Sequence, residues 1–383
     1  MGASADNLDS RTLLESRLSR RQLLMRAAAL GIAPSLTAAF LSACGSDDNS
    51  TPTSSTSASA VVPEGTAVFQ NFPGWIGPSE VEDFHTQYPD ATISLSTNVP
   101  SSLAGYVQLI KNNPGAYDLT IADLPQIGAM KAAGVYQAPD YSLIPNIAKV
   151  DEAFREAYPD APPNDYGNYV IGYRKDMVTE PIASWADFWK LTPKYKGNVI
   201  IQDLDRPALG MALKYLGFSG NTTDPTELTK ASDALIQLKP DLQAVTSINV
   251  STALAKGTVA MAQCGNYDMA LAQAASKDVA FAFPAEGTTG YFEGFCPVAG
   301  SEQLDVVHAF LNFHLDPENY AGFVNATGSS WVESAAEAYI KPEIAGSTAL
   351  KPSASELEQI EWLQFVGEAQ ALYQKAWEAF KAA

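Results

Sequence analysis

From residue 66 onward the chain alternates short runs of apolar, β-branched residues with longer stretches whose apolar positions recur every three or four residues. The first pattern predicts strands covered on both faces, and the second predicts helices with one buried side. The first part reads as a strand at 66–69, a helix at 79–88 capped by Ser79 with Glu82 at its third position, and a strand at 91–96. A helix at 101–111, a strand at 118–121 and a helix at 125–133 stopped by Gly134 follow. Such βαβ repetition implies a largely parallel sheet flanked by helices, with the loops after its strands as the places to look for function.

The densest signal lies between Ser184 and Pro225. Ser184 and Asp187 form a capping box, and Trp185, Phe188 and Trp189 share one helix face that must be buried. Residues 198–201 predict a buried strand that ends in an acidic loop carrying Asp203 and Asp205, a candidate binding edge. Helix resumes through 211–216 and stops at Gly217, and Asp224 with Pro225 opens another. The segment 166–173 is expected to carry the chain into a second lobe, with Gly167 and Gly172 supplying permissive backbone where it bends. Beyond 225–238, strands are expected at 242–245, 259–263 and 279–283. The last part reads as helices at 303–315, 317–326 and 356–381.

The N-terminus changes the expected location. Ser19-Arg20-Arg21-Gln22-Leu23-Leu24 is a twin-arginine pattern, followed by a short apolar stretch and Leu41-Ser42-Ala43-Cys44, which reads as an export signal over residues 1–43 ending in a lipobox. Cleavage there would leave Cys44 lipidated, and an acyl anchor holds a protein on a membrane without spanning it. Residues 44–63 form a Ser/Thr-rich tether with almost nothing to bury. The formal net charge is −19, and loss of the signal, which carries five basic and three acidic residues, makes it more negative. Nucleic acid is disfavoured as a partner, and cations are attracted; acidity that simply maintains solubility is the other reading.

Three stretches carry candidate chemistry. Phe72 and Trp75 lie on a Gly/Pro loop after the first strand, where a second lobe, a ligand or their own loop must cover them. Asp123 follows the third strand. Glu293, within Gly290-Tyr291-Phe292-Glu293-Gly294-Phe295, is a carboxylate among aromatic rings, which suits an ammonium ligand through pairing with oxygen and attraction to ring faces. The alternative for Glu293 is a carboxylate satisfying nearby backbone N–H groups. With Cys44 assigned to the lipobox, Cys264 and Cys296 remain as an even pair in an oxidising compartment, so a disulfide between them is an open alternative to two thiols. The histidines, including His314, read as surface or packing residues. No nucleophile–base pattern and no metal-ligand spacing stand out, so neither an enzyme, a metal site nor a cofactor is expected.

The stretch 184–225, above all Met211-Ala212-Leu213-Lys214-Tyr215-Leu216-Gly217 and Ser219-Gly220-Asn221-Thr222-Thr223-Asp224-Pro225, resembles the spermidine/putrescine-binding proteins of bacterial ABC importers. The resemblance covers about residues 67–382. It implies an α/β, two-lobed periplasmic-binding-protein fold of type II, each lobe a mixed sheet flanked by helices. Lobe 1 is expected over 64–167 and 294–328, and lobe 2 over 168–293 and 329–383. It further implies a solute-binding protein that passes a small cationic solute to an ABC permease, and with the lipobox this gives the expectation of a lipid-anchored monomer on the outer face of the membrane. Glu293 stands where such proteins have an amine-binding aspartate, Tyr291 and Phe72 at cleft tryptophans, Trp75 at a neighbouring tyrosine and Asp123 at a ligand-contacting serine. Leu204 and Pro207 stand where two carboxylates receive the far amines, with Asp203 and Asp205 on adjacent positions. A different solute in the same fold (an organic cation, an amino acid derivative or a metal ion) is the alternative implied, and an enzyme is a distant third.

Overall fold

The computed structural model describes residues 62–100 and 103–383; the export signal, Cys44 and most of the tether lie outside the described residues. Among the described residues, ten strands form one mixed sheet. They are β1 (Gly65–Gln70), β2 (Ala91–Ser96), β3 (Leu119–Asp123), β4 (Pro163–Arg174), β5 (Val199–Ile201), β6 (Ala244–Val245), β7 (Met261–Gly265), β8 (Val279–Ala282), β9 (Thr288–Pro297) and β10 (Ile360–Trp362). The order is β2-β1-β3-β9-β4-β7-β5-β6, with β10 on β9 and β8 on β4. β1, β2 and β3 run parallel, as do β5, β6 and β7, while β9 is antiparallel to both β3 and β4.

β4 joins the two halves. Its first residues, through Asn168, pair with β9, and those from Tyr169 on pair with β7 and β8. The cores divide at the same place. Phe69, Ile121, Tyr166, Phe292 and Phe310 belong to one cluster, whereas Ile171, Val199, Leu213 and Met261 belong to another. A third forms on the opposite face of the second half, where Val170, Ile200, Ala262 and Cys264 alternate with those neighbours along their strands. Burying side chains of this size contributes about 1.5–3 kcal/mol each, so each lobe has its own source of stability.

Local signals account for the helices nearest the cleft. Ser184 Oγ accepts from Asp187 N at 3.0 Å, and Trp185 and Phe188 are fully buried below that cap. A cap of this kind contributes about 1 kcal/mol. Trp189 instead lies half-buried, stacked on Tyr215 with ring centroids 4.4 Å apart. The helix Asp205–Tyr215 begins earlier than its apolar pattern indicated, taking Asp205, Arg206 and Pro207 into its first turn.

Several expectations are corrected. Ser79 does not cap Glu80–Gln87; its hydroxyl donates to Asp83 instead, and Glu80 turns inward. The helix expected at 356–381 is interrupted, because Ile360, Glu361 and Trp362 pair in parallel with Thr288, Thr289 and Gly290, and helix resumes only over Gln370–Ala382. Trp331, Val332, Ala336, Ile340 and Leu350 pack in the first core, Ala349 joins the third, and Tyr373, Ala376 and Phe380 are buried in the second. Cys264 and Cys296 are free buried thiols in different cores, one paired with Val170 on β4 and the other with Thr120 on β3, so no disulfide joins them. Gly167 and Gly172 are needed for space rather than for a bend. A Cβ on Gly167 would strike the Tyr291 ring, and one on Gly172 would meet Met269.

Candidate functional site

The carboxyl ends of β3, β5 and β7 point their following residues at one place. Asp123, Gln202 to Pro207, and Gly265 with Tyr267 and Asp268 meet Tyr169, Tyr291 and Glu293 around a cleft of about 680 Å³. Leu363, Gln370, Gln374 and Trp377 close another side. Asp123, Asp203, Asp205, Asp268 and Glu293 give the wall five carboxylates. Arg206 is its one cation among the described residues, and it is directed elsewhere. The guanidinium donates to Gln364 O at 3.1 Å and Asn221 Oδ1 at 2.8 Å, and lies 4.3 Å from the centre of the Tyr373 ring.

The register of three neighbouring strands explains the charge concentration. Asp123 on β3 is directly opposite Glu293 on β9, and Glu293 is directly opposite Asp165 on β4. Directly opposed side chains have Cβ atoms about 5 Å apart, and like charges so placed repel. Among the described residues no cation pairs with any of the three. Burial, then Asp165 and Asp123, hold the Glu293 carboxyl well above its ordinary range. Burial pushes Asp165 up to about 7, opposed by the hydrogen bond from Asn164 and by the nearby indole of Trp75. Asp123 is pushed up to about 6 by burial, opposed by the Gln126 N–H and Arg206. A site of this kind favours an entering positive charge.

Asp165 is itself held from behind. Asn164 Nδ2 donates to Asp165 Oδ1 at 3.1 Å, and Asn164 Oδ1 faces His314 Nε2 at 2.9 Å. His314 Nδ1 lies 2.6 Å from Glu80 Oε1, so this histidine is a buried member of a polar chain rather than simple packing. Trp75 lies behind the carboxylates too. Its Nε1 is buried without a hydrogen-bond partner within reach, yet the indole still lowers the pKa of both Asp165 and Glu293.

The structure therefore brings Glu293, Tyr291, Asp123, Asp203 and Asp205 to one cleft and places Phe72 and Trp75 outside its lining. Phe72 packs on the first core, and Trp75 meets Tyr267 and Phe323 edge-on at 6.3 Å and 5.8 Å. Tyr169, Tyr267 and Tyr291 supply the aromatic wall instead. Asp123 also serves the fold, since its Oδ1 accepts from Gln126 N at 2.7 Å as the cap of Leu124–Ala133. Asp203 is exposed and held by Lys381 Nζ at 2.7 Å to each oxygen. Asp205 accepts from Arg206 N at 2.8 Å. Asp165, Asp268, Gln202 and Tyr169 were not singled out from the sequence; only the acidic side chain just ahead of the crossing segment, Asp165, offered a signal. No cluster of three or more His, Cys, Asp or Glu among the described residues is arranged to hold a metal ion.

A sheet shared by two lobes, with a cleft at its strand ends, defines the two-lobed type II solute-binding fold. The family model for bacterial extracellular solute-binding proteins matches residues 81–351, and the chain belongs to that family. It is 30% identical over 324 residues to the spermidine/putrescine-binding periplasmic protein of Salmonella typhimurium, covering 83% of this chain and 92% of that one. A solved spermidine/putrescine ABC transporter substrate-binding protein from Streptococcus pneumoniae superposes with a TM-score of 0.72 at 24% identity. That match spans 83% of this chain and 98% of the other, and shows the shared fold. A lipoprotein of Treponema pallidum gives a TM-score of 0.71 at 25% identity, over 82% and 99% of the two chains. The protein is a solute-binding transport protein rather than an enzyme.

Proposed function

We propose that this protein is the lipid-anchored receptor of an ABC importer, capturing a small cationic amine of the putrescine or spermidine type and delivering it to the permease. One observation carries the reading: Asp123, Glu293 and Asp165 stand side by side on three strands with no cation among the described residues to pair with them. An ammonium group entering beside Glu293 supplies the missing charge, and Tyr291 and Tyr169 offer ring faces to the cation and its methylenes. The relatives named for spermidine and putrescine support the same ligand class. The lipobox at Cys44 supports anchoring on the outer face of the membrane, and nothing in the reading requires more than a monomer.

Delivery follows from the architecture. The lobes share β4 and β9, so a ligand that touches both stabilises one closed arrangement, and a permease can read that arrangement rather than the ligand. The test is a thermal-shift series with putrescine, spermidine, spermine, single amines, amino acids and ferric ion, followed by calorimetry. Ligand at a hundred times its Kd adds about 2.7 kcal/mol of stability. A response to amines supports the proposal; silence from every amine with a response to another solute transfers the cleft to that solute.

A further inference from the structure

The second lobe contributes its own acceptor pair to the cleft, apart from the row on β3, β9 and β4. Asp268 lies in the first turn of the helix Asn266–Ala275, where its Oδ2 accepts from Gln202 Nε2 at 3.0 Å and from Gly265 N at 3.3 Å. That bond fixes the Gln202 amide, because its nitrogen faces the carboxylate and its oxygen must face the other way. Gln202 Oε1 is left without a partner although the residue is 6% exposed and lines the cleft. An unmade hydrogen bond at a buried carbonyl costs roughly 1–3 kcal/mol, so the position favours a donor from a ligand. The Oδ1 of Asp268 also makes no hydrogen bond among the described residues, so the linked Asp268–Gln202 pair keeps two unused acceptors for the three-donor head of an ammonium group.

β4 runs between the two acidic centres. On one side of it Asp165 is opposite Glu293 and Gly167 is opposite Tyr291, and on the other side Tyr169 is opposite Gly265, to which Asp268 is bonded. The two centres are thus offset by four residues along β4 and lie on strands that flank it, so a ligand reaching both must be extended. Between the two centres stand Tyr169 and Tyr291, with ring centroids 6.1 Å apart, and both feel the charge of Glu293 and of Asp268. Burial raises the Asp268 carboxyl to about 6, opposed by the hydrogen bond from Gly265 N.

We propose that Asp268 and Gln202 form a second ammonium subsite, so that the cleft selects a dication whose amines bind at Glu293 and at Asp268 with the methylene chain along Tyr169 and Tyr291. This rests on the reading of the Glu293 row as an amine site. Holding one end on each lobe also makes diamine binding and lobe closure the same event, since a monoamine on Glu293 alone leaves the second lobe without its contact.

Calorimetry on the full chain with putrescine and butylamine, which share a four-carbon chain and differ in one amine, tests it. Unaltered protein should bind putrescine at least about tenfold more tightly than butylamine. Asp268→Asn should weaken putrescine about tenfold or more and butylamine by no more than about twofold, the pattern of one lost charge-assisted contact. Gln202→Met should give a smaller loss confined to putrescine, and it decides the matter if Asp268→Asn lowers Tm by freeing Gly265 N. Equal losses for both amines, no loss for either, or equal affinities in the unaltered protein overturn the second subsite while leaving amine binding at Glu293 in place. No binding of either amine by the unaltered protein overturns the amine reading itself.

Discussion

Asp165 stands directly across the β4–β9 ladder from Glu293, and neither carboxylate has a cationic partner among the described residues. Opposed like charges in a sheet work against the fold and for a cationic ligand. Glu293→Gln should therefore move stability and affinity in opposite directions. The empty protein should gain on the order of 0.5–1 kcal/mol, read as a higher Tm, while affinity for the amine falls about tenfold or more. A lower Tm with unchanged affinity would assign Glu293 to the architecture instead.

The same carboxylates set a pH dependence. Burial raises Asp123 to about 6 and Asp165 to about 7, so the folded protein keeps protons that the unfolded chain releases near pH 4. Their contribution to stability is full below that pH and is lost as pH rises through 6 and 7. Cation binding has the reverse sign, because it needs the charged carboxylates. Affinity should increase from pH 5 to pH 8, and calorimetry in buffers of different ionisation enthalpy should detect protons released on binding. Affinity that is flat across this range would contradict the cluster's role.

Asp203 offers a contrast within one cleft. Its two oxygens are already bound to Lys381, and the pair is exposed. Exposed pairs contribute about 0–1 kcal/mol, so Asp203→Asn should leave stability nearly unchanged and amine affinity within about twofold. A loss as large as that of Glu293→Gln would mean that ligand draws Asp203 away from Lys381.

Gly167 lies under the Tyr291 ring with no room for a methyl group. Gly167→Ala should cost about 1–3 kcal/mol through overpacking and weaken ligand binding by displacing that ring. Both are measurable in one melting series with and without putrescine. An unaltered Tm would show that Tyr291 relaxes away without cost.

Both described thiols should be silent in the folded protein and reactive after unfolding without reductant, since Cys264 and Cys296 are buried and unbonded. A thiol-reagent titration in guanidinium that found neither would require the two lobes to rearrange.

Patterning revealed most of the scaffold because the strands of both halves are short apolar runs and their helices carry caps readable within four residues, as at Ser184. What it missed depends on register. Asp165 joins the carboxylate row behind the cleft only through its pairing with Glu293, more than a hundred residues away, and its place just ahead of the crossing segment is its one local mark. Asp268 is hidden likewise within the first turn of an otherwise ordinary helix. Three residues, Ile360 to Trp362, were read as helix because their strand character comes from Thr288 to Gly290 rather than from their own spacing. Conversely, Phe72 and Trp75 looked like cleft residues because exposed aromatics on a loop demand cover, and the first core and Tyr267 provide it.

Trp377 turns the cleft into its own indicator. It lies in the wall, 4.9 Å from Phe380 and under Lys381, the residue that grips Asp203 at the rim. Indole emission should therefore register occupancy without any added dye.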